Sequence, residues 1–536
     1  MNPALMSLTA FKRPTFTGRT DKFAPPVSPF SLNEDDLRSV LKAVSPGEVG
    51  GSVLSDGYAR EAISRISGYA TSWDYYDGRH FRVEPHDGLK KVATNFCKMI
   101  VDKRAAWAVG KKFKLTPEKG NELVAKTFEK AWRANGGREL LHSVVKTSHI
   151  TGDGFIYFTL RSKDLQGNPL PVEQQSVRIV QLNPAYVFPV WRENEPAEMA
   201  ACYLHFPIWD DSSQNSASFT AFITPKAVKY YINGQLTKEH PNRLGRVNVV
   251  HVPSETLASN VFGTSILKDI IPLNDAYNEA RHSVRKIIKY HGEPTTLVFG
   301  TRFANMERGA NRLWSNLPAP GEADVRNLEM RGDLSQFKLD FDETEKHIYK
   351  LGKTPRVAFD SDGLAISNTS GIAMALLFQP LVEASLEMQG TLARAITQGN
   401  AIIAKFHSEY FGEDLSQLAD DPDSYLENEV SFESMLPKDL QMEMDLVAKQ
   451  LELKLISKAE AMRRLRTNDN SDSEKLAVEI AADANAELAY KAEEYKALQG
   501  QCPNFTATLL GSPFLHEDLV DIAQRIPKSA GVDKPS

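Results

Sequence analysis

The sequence predicts an α+β, multi-domain protein, and three observations carry that reading. Two long stretches, residues 265–291 and 370–411, space their apolar side chains at helical intervals. Between residues 152 and 252, short β-branched and aromatic runs alternate with turn residues, the pattern of a mainly antiparallel sheet. Helical signals return beyond residue 436.

The elements follow in chain order. Residues 1–32 are rich in Pro, Thr, Phe and Ser without periodicity and read as an extended arm. Asn33-Glu34-Asp35-Asp36 starts a short helix, and Trp73-Asp74-Tyr75-Tyr76-Asp77-Gly78 reads as an aromatic turn. An amphipathic helix is expected over 88–110, with Leu89, Val92, Phe96, Met99, Ile100 and Trp107 mostly on one face. Two further helices, 121–134 and 138–150, are separated by Gly136-Gly137. Strands are expected at 155–158, 177–182, 187–191, 200–206, 218–223 and 247–252.

Helix returns after Gly263, with Thr264 or Ser265 as N-cap. Ile266, Ile270, Leu273, Tyr277, Ala280, Val284 and Ile287 then alternate in steps of four and three. That heptad-like seam implies side-by-side packing with another helix. Pro272 lacks a backbone donor, so it either kinks the helix or marks its true start. Over residues 265–291 the helix would be about 40 Å long. Arg281, Arg285 and Lys289 lie at i, i+4 and i+8 and share a face, ordinarily a solvated one.

Gly292 ends this helix. Residues 293–341 are mixed, with a strand-like 295–299; residues 342–351 form a short charged helix. Residues 354–369 have no period, contain Asp360-Ser361-Asp362-Gly363 and read as a loop. Ser370-Gly371 opens the second long helix, which Pro380, Gly390 and Gly399 are expected to bend or break. Pro437 suits a first helical position, and Ser457-x-x-Glu460 and Ser471-x-x-Glu474 fit capping boxes of the closing helices. Residues after Pro503 read as a loosely held tail.

Bulk properties narrow the function. With 42% hydrophobic and 25% charged residues, the chain is not a wholly disordered one. Its net charge of −6 argues against an electrostatic DNA binder, which needs a basic face, but not against a wall that DNA slides past. Cys97, Cys202 and Cys502 are far apart and form no C-x-x-C, which favours reduced thiols in a cytosolic setting. The first 24 residues have no signal-peptide core, and the apolar run near 373–382 is too short to span a bilayer.

Chemistry-bearing motifs are missing. There is no G-x-x-x-x-G-K-[ST], H-E-x-x-H or G-x-S-x-G, and no kinase set. The twelve histidines are scattered, without metal-ligand spacing, so no metal or cofactor is expected. Asp360 and Asp362 read as turn-forming carboxylates rather than a metal or acid–base pair. His282 reads as a helix-surface residue, and the sequon Asn368-Thr369-Ser370 as fortuitous.

The joint order of several stretches resembles that of tailed-phage portal proteins, over roughly residues 54–498. They are Trp73–His80; Asn95–Asp102 with Gly110-Lys111-Lys112-Phe113; Ile150-Thr151-Gly152-Asp153-Gly154-Phe155 with Leu182-Asn183-Pro184-Ala185-Tyr186-Val187; Phe262-Gly263-Thr264-Ser265-Ile266-Leu267 with its long helix to Gly292-Glu293-Pro294; Thr369-Ser370-Gly371-Ile372-Ala373; and Leu436-Pro437-Lys438-Asp439 with Leu455-Ile456-Ser457.

The resemblance implies a ring-forming portal fold with a mainly helical stem and crown, a mixed α/β wing and a small α/β clip. Mapped by number, the arm is 1–32, the first part of the wing 33–262 and the stem helix 263–292. The clip is 293–341, the second stem helix 342–353 and the tunnel loop 354–369. The long wing helix and link are 370–435, the crown 436–499 and the tail 500–536. It further implies twelve subunits, and twelve helices about 10 Å across leave a hole of roughly 28 Å, wide enough for a DNA duplex. Arg281, Arg285, Lys289, Lys353, Arg356, Asp360 and Asp362 would then face the channel. Ile270, Leu273, Tyr277, Val284 and Ile287 would meet a neighbouring subunit.

The implied role is a non-enzymatic vertex ring for capsid assembly, genome packaging, retention and ejection, and head–tail joining. Its implied partners are double-stranded DNA, a terminase ATPase, a head–tail adaptor, and major capsid and scaffolding proteins, with no membrane. It would be assembled in the host cytoplasm and reside at the portal vertex of the virion. The rival readings are a head–tail adaptor, usually a shorter chain, and a hydrolase using Asp360 and Asp362, for which no positioned base is present.

Overall fold

The computed structural model describes residues 56–79, 92–117, 121–162, 168–192, 198–210, 215–256, 261–292, 295–299, 324–328, 335–359, 371–418, 426, 428–433, 435 and 440–453. The chain divides into two units, Met1–Leu436 and Pro437–Ser536. The expected arm, the helix at Asn33, residues 80–91, Asp360, Asp362, Pro437, the two capping boxes and the tail lie outside the described residues.

The first helix, α1 (Asp56–Tyr76), buries Ala62, Ile66, Tyr69 and Tyr76. Trp73–Tyr76 are its last turn, so the aromatic segment expected as a turn is helical, and only Asp77–Arg79 turn. The spacing 62, 66, 69, 76 buries one face, and packing of that face overrides the modest helix propensity of aromatic residues. The next helix, α2 (Phe96–Val109), starts at Phe96 rather than Gly88, because Asn95 caps it: its side chain accepts the Lys98 N–H at 2.9 Å. Val92 lies outside the helix and is exposed, whereas Cys97, Ile100, Val101, Ala105 and Ala108 are buried. Helices α3 (Glu122–Ala134) and α4 (Arg138–Thr151) follow as expected, joined through Gly136-Gly137.

Two antiparallel sheets come next. One orders β3 (Ser176–Leu182), β2 (Asp153–Arg161) and β9 (Val249–Pro253) side by side. The other is a meander of β4 (Val187–Trp191), β5 (Met199–Asp210), β6 (Asn215–Ile223), β7 (Ala227–Ile232) and β8 (Gln235–Pro241). All six expected strands are present. The β7–β8 hairpin was not expected, although Asn233-Gly234, both at positive φ, is a strong two-residue hairpin signal. A separate pair joins β1 (Phe113–Pro117) to β12 (Asn428–Phe432), from distant parts of the chain.

The long helix α7 (Gly371–Phe406) is unbroken and continues into a π-helical turn, His407–Phe411. This corrects the expected breaks. Pro380 lies on an exposed turn with Leu376 and Leu377, where water can satisfy the carbonyl it orphans. Gly399 is a packing position: a Cβ there would come within 2.7 Å of Phe158 Cζ. Beside it the Trp132 indole N–H donates to Asn400 Oδ1 at 2.9 Å. Trp132, Phe128, Phe158, Leu392 and Ile403 belong to the main core, which unites α2–α4, α7 and the three-stranded sheet. In the second unit, the described residues form helix α8 (Leu440–Glu452).

Candidate functional site

The sequence-selected residues converge on a helical hairpin made of α5 (Ile271–Gly292) and α6 (Ser335–Leu351). The described strands of the intervening segment, β10 (Thr295–Phe299) and β11 (Asp324–Leu328), pair antiparallel. Helix α5 begins at Ile271 rather than at 265, so Pro272 marks the true start, where its missing N–H is not needed. Residues 266–270 run as turns, and α5 is about 33 Å long rather than 40 Å. Helix α6 starts at Ser335, earlier than the expected 342, so the end of the presumed clip is helical.

The entry to α5 is locked by backbone contact. A Cβ on Gly152 would lie 2.5 Å from Gly263 O, and one on Gly263 would lie 2.2 Å from Gly152 O. Beside this contact the buried Asp153 carboxylate accepts from the Tyr69 hydroxyl, from His251 Nε2 at 2.7 Å and from the Gly263 N–H at 2.9 Å. Ser265 Oγ donates to Ile150 O at 2.6 Å.

Two fully buried asparagines, one turn apart, fix the base of α5 to the extended strap before α2. Asn274 Oδ1 accepts the Phe96 N–H at 3.3 Å, and Asn278 engages both backbone groups of Thr94. They satisfy strap groups that secondary structure leaves unpaired. The Tyr75 hydroxyl donates to Asp275, and burial, reinforced by that carboxylate, raises the phenol's pKa. An aromatic clasp closes the same end. Tyr277 meets Phe96 edge-on at 5.0 Å and packs on Phe341 at 5.4 Å. Tyr349 meets Phe96 edge-on and stacks on Phe359. Burial first, then nearby Glu345, pushes the Tyr349 phenol up to about 12.

This packing sorts the seam. Ile270 is fully buried in its own subunit, and Leu273 and Tyr277 pack on the same cluster. Val284 and Ile287, further along, are half-buried, and the adjacent Ile288 is 56% exposed. Of the basic stripe, Arg281 donates to Thr94 Oγ1, Arg285 is half-buried and Lys289 is exposed.

Helix α6 ends with an uncommon assignment of roles. The Thr354 N–H bonds Tyr349 O and the Lys353 N–H bonds Lys350 O, the paired bonds of a Schellman stop. Lys353, not a glycine, takes the left-handed position, at φ 50°. Gly352 precedes it for space, since a Cβ there would lie 2.8 Å from Ile100 Cδ1. Lys353 pairs with Glu387 of α7 at 3.6 Å, and Arg356, in a single 3-10 turn, pairs with Glu345 at 3.6 Å. The asparagine pair and these carboxylate partners escaped sequence reasoning; two asparagines at i, i+4 beside an apolar seam were the available signal for the first.

Among the described residues no cluster of His, Cys, Asp and Glu has the arrangement of a metal site, and no helix is long and apolar enough to cross a membrane. No curated protein matches the chain in sequence. Among solved structures it is similar to a chain in "Virion of native gene transfer agent (GTA) particle", at 13% identity and TM-score 0.40, covering 80% of this chain and 98% of that one. A second similar chain comes from "Neck of native GTA particle computed with C12 symmetry", at 12% identity and TM-score 0.39, covering 69% of this chain and 89% of that one. The family model described as "Phage portal protein, SPP1 Gp6-like" matches residues 59–486, from α1 through the α5–α6 hairpin and α7 into the second unit. The chain therefore belongs to the SPP1 Gp6-like family of phage portal proteins.

Proposed function

We propose that twelve copies of this chain form the portal ring of a phage capsid, with α5 and α6 in the wall of a central channel for double-stranded DNA. Family membership over most of the chain is the observation that carries this reading. The hairpin agrees with it: one end is clasped into its own subunit, while Val284, Ile287 and Ile288 retain accessible apolar surface for a neighbour. Ring symmetry turns Arg281, Arg285 and Lys289 into three bands of positive charge that brake a polyanion, while the net charge of −6 per chain prevents tight binding.

In this reading residues 263–292 and 342–353 are stem, 293–341 clip, 436–499 crown, and 33–262 with 370–435 wing. Residues 354–369 form a collar in which Asp360 and Asp362 repel phosphate, flanked by Lys353 and Arg356. The ring nucleates the vertex with major capsid and scaffolding proteins, docks a terminase that supplies the energy, and later joins an adaptor, retaining and then releasing the genome. Negative-stain microscopy of the purified protein tests this. Turbine-shaped rings with a central hole support it, and compact monomers contradict it.

A further inference from the structure

Between the end of β4 and the start of β5, the turn that leads into β9 and the middle of α7 lies an open cleft of about 450 Å³. That volume falls in the range of roughly 300–1,000 Å³ typical of ligand sites. Three arginines reach it from three elements: Arg192 after β4, Arg246 before β9 and Arg394 on α7. Arg192 is paired with Glu198 at 3.1 Å. The guanidinium groups of Arg246 and Arg394 make no ion pair or hydrogen bond with any described residue. The Trp191 indole N–H, buried at the same cleft, has no acceptor among the described residues. His251 also lines the cleft, but its Nε2 is committed to Asp153.

The polar lining is thus an excess of donors on a chain that is acidic overall. Guanidinium forks match carboxylates in geometry and shed water more readily than ammonium groups. Met199 and Val261, both partly exposed, add apolar surface beside them. A rigid duplex is too thick to enter so small a cleft, whereas an extended chain with carboxylates and one apolar side chain fits both its charge and its walls.

We propose that this cleft docks a short acidic peptide segment of a partner protein, with its carboxylates on Arg246 and Arg394 and an apolar side chain against Met199 and Val261. Every lining residue of the cleft belongs to the one chain. The cleft also differs from the channel stripe on α5.

The test is fluorescence anisotropy of the full-length protein with a labelled acidic decapeptide of Asp, Glu and Leu. Saturable, salt-sensitive binding is expected. The double variant Arg246→Gln/Arg394→Gln should weaken it by about tenfold or more, the loss expected for a charge-assisted contact. Arg243→Gln, which removes a cation stacked on Tyr410 outside the cleft, should leave it unchanged. Circular dichroism confirms that the variants are folded. Failure of the wild type to bind, or equal binding by the double variant, overturns the proposal. So does displacement of the peptide by a single-stranded oligonucleotide at lower concentration than by unlabelled peptide, which would assign the cleft to nucleic acid.

Discussion

Asn278 holds Thr94 from both sides: its Oδ1 accepts the Thr94 N–H at 2.7 Å and its Nδ2 donates to Thr94 O at 3.1 Å. One buried side chain thereby ties α5 to the strap that feeds α2. Asn278→Ala leaves a buried donor and acceptor unpaired, each costing about 1–3 kcal/mol. A loss of about 2–6 kcal/mol in urea unfolding is expected. A loss below ~1 kcal/mol would mean that water or rearrangement replaces the bonds.

The end of α6 makes opposite predictions for two neighbouring positions. Gly352→Ala drives a Cβ toward Ile100, and overpacking of this kind costs about 1–3 kcal/mol. Lys353→Gly removes the left-handed strain of about 1–2 kcal/mol but also an exposed ion pair contributing about 0–1 kcal/mol. Thermal melts should therefore rank Gly352→Ala below wild type and Lys353→Gly at or above it. The reverse order would show that the Lys353–Glu387 pair dominates the stop.

Acid should destabilise the fold partly through His149. Its complete burial, with Arg104 nearby, lowers its pKa well below the ordinary value, and its Nδ1 lies 3.0 Å from Ser254 Oγ. The folded state keeps His149 neutral, whereas the unfolded chain protonates it below about pH 6.5. Its contribution is fully present above that pH and is lost as pH falls toward the depressed folded value. The loss is at most about 1.4 kcal/mol per pH unit. Between pH 7.5 and 5.5, His149→Gln should lose less stability than wild type in urea titrations. Parallel losses would refute the assignment.

In the proposed ring the seam separates folding from assembly. Ile270 is fully buried within its own subunit, so Ile270→Asp should abolish folding. Val284 is only half-buried there, and Val284→Asp should keep the wild-type circular dichroism while light scattering shows monomers instead of rings. Normal rings from Val284→Asp would remove this face from the interface.

Replacing Arg281, Arg285 and Lys289 together by Gln should leave rings intact and change the length or retention of packaged DNA. The effect should be largest at low salt, where screening is weakest. Packaging and retention equal to wild type would make the stripe a solvated surface.

Much of this was readable from local spacing. The stripe on α5 follows from i, i+4, i+8, and of the two roles the sequence left open for Pro272, a kink or a start, the structure shows the start. What depends on distant partners was not readable. β1 is a short run ending in Pro117, and only β12 makes it a strand. Gly399 looked like a helix breaker because Trp132 and Phe158, which require its lack of a side chain, lie far away in the sequence. Lys353 and Arg356 were legible as cations, but the Lys353–Glu387 pair arises only when the end of α6 meets α7, and the Arg356–Glu345 pair only when the chain after α6 folds back along it. The β7–β8 hairpin is the exception: Asn233-Gly234 carried a local signal that the strand count passed over.

In the proposed closed ring α5 lines the channel. Cryo-electron microscopy of the purified assembly tests it most directly. The account predicts a ring with a hole wide enough for a DNA duplex and Arg281, Arg285 and Lys289 facing that hole. A ring with α5 on its outer surface, or a hole too narrow for a duplex in every conformational class, would contradict it.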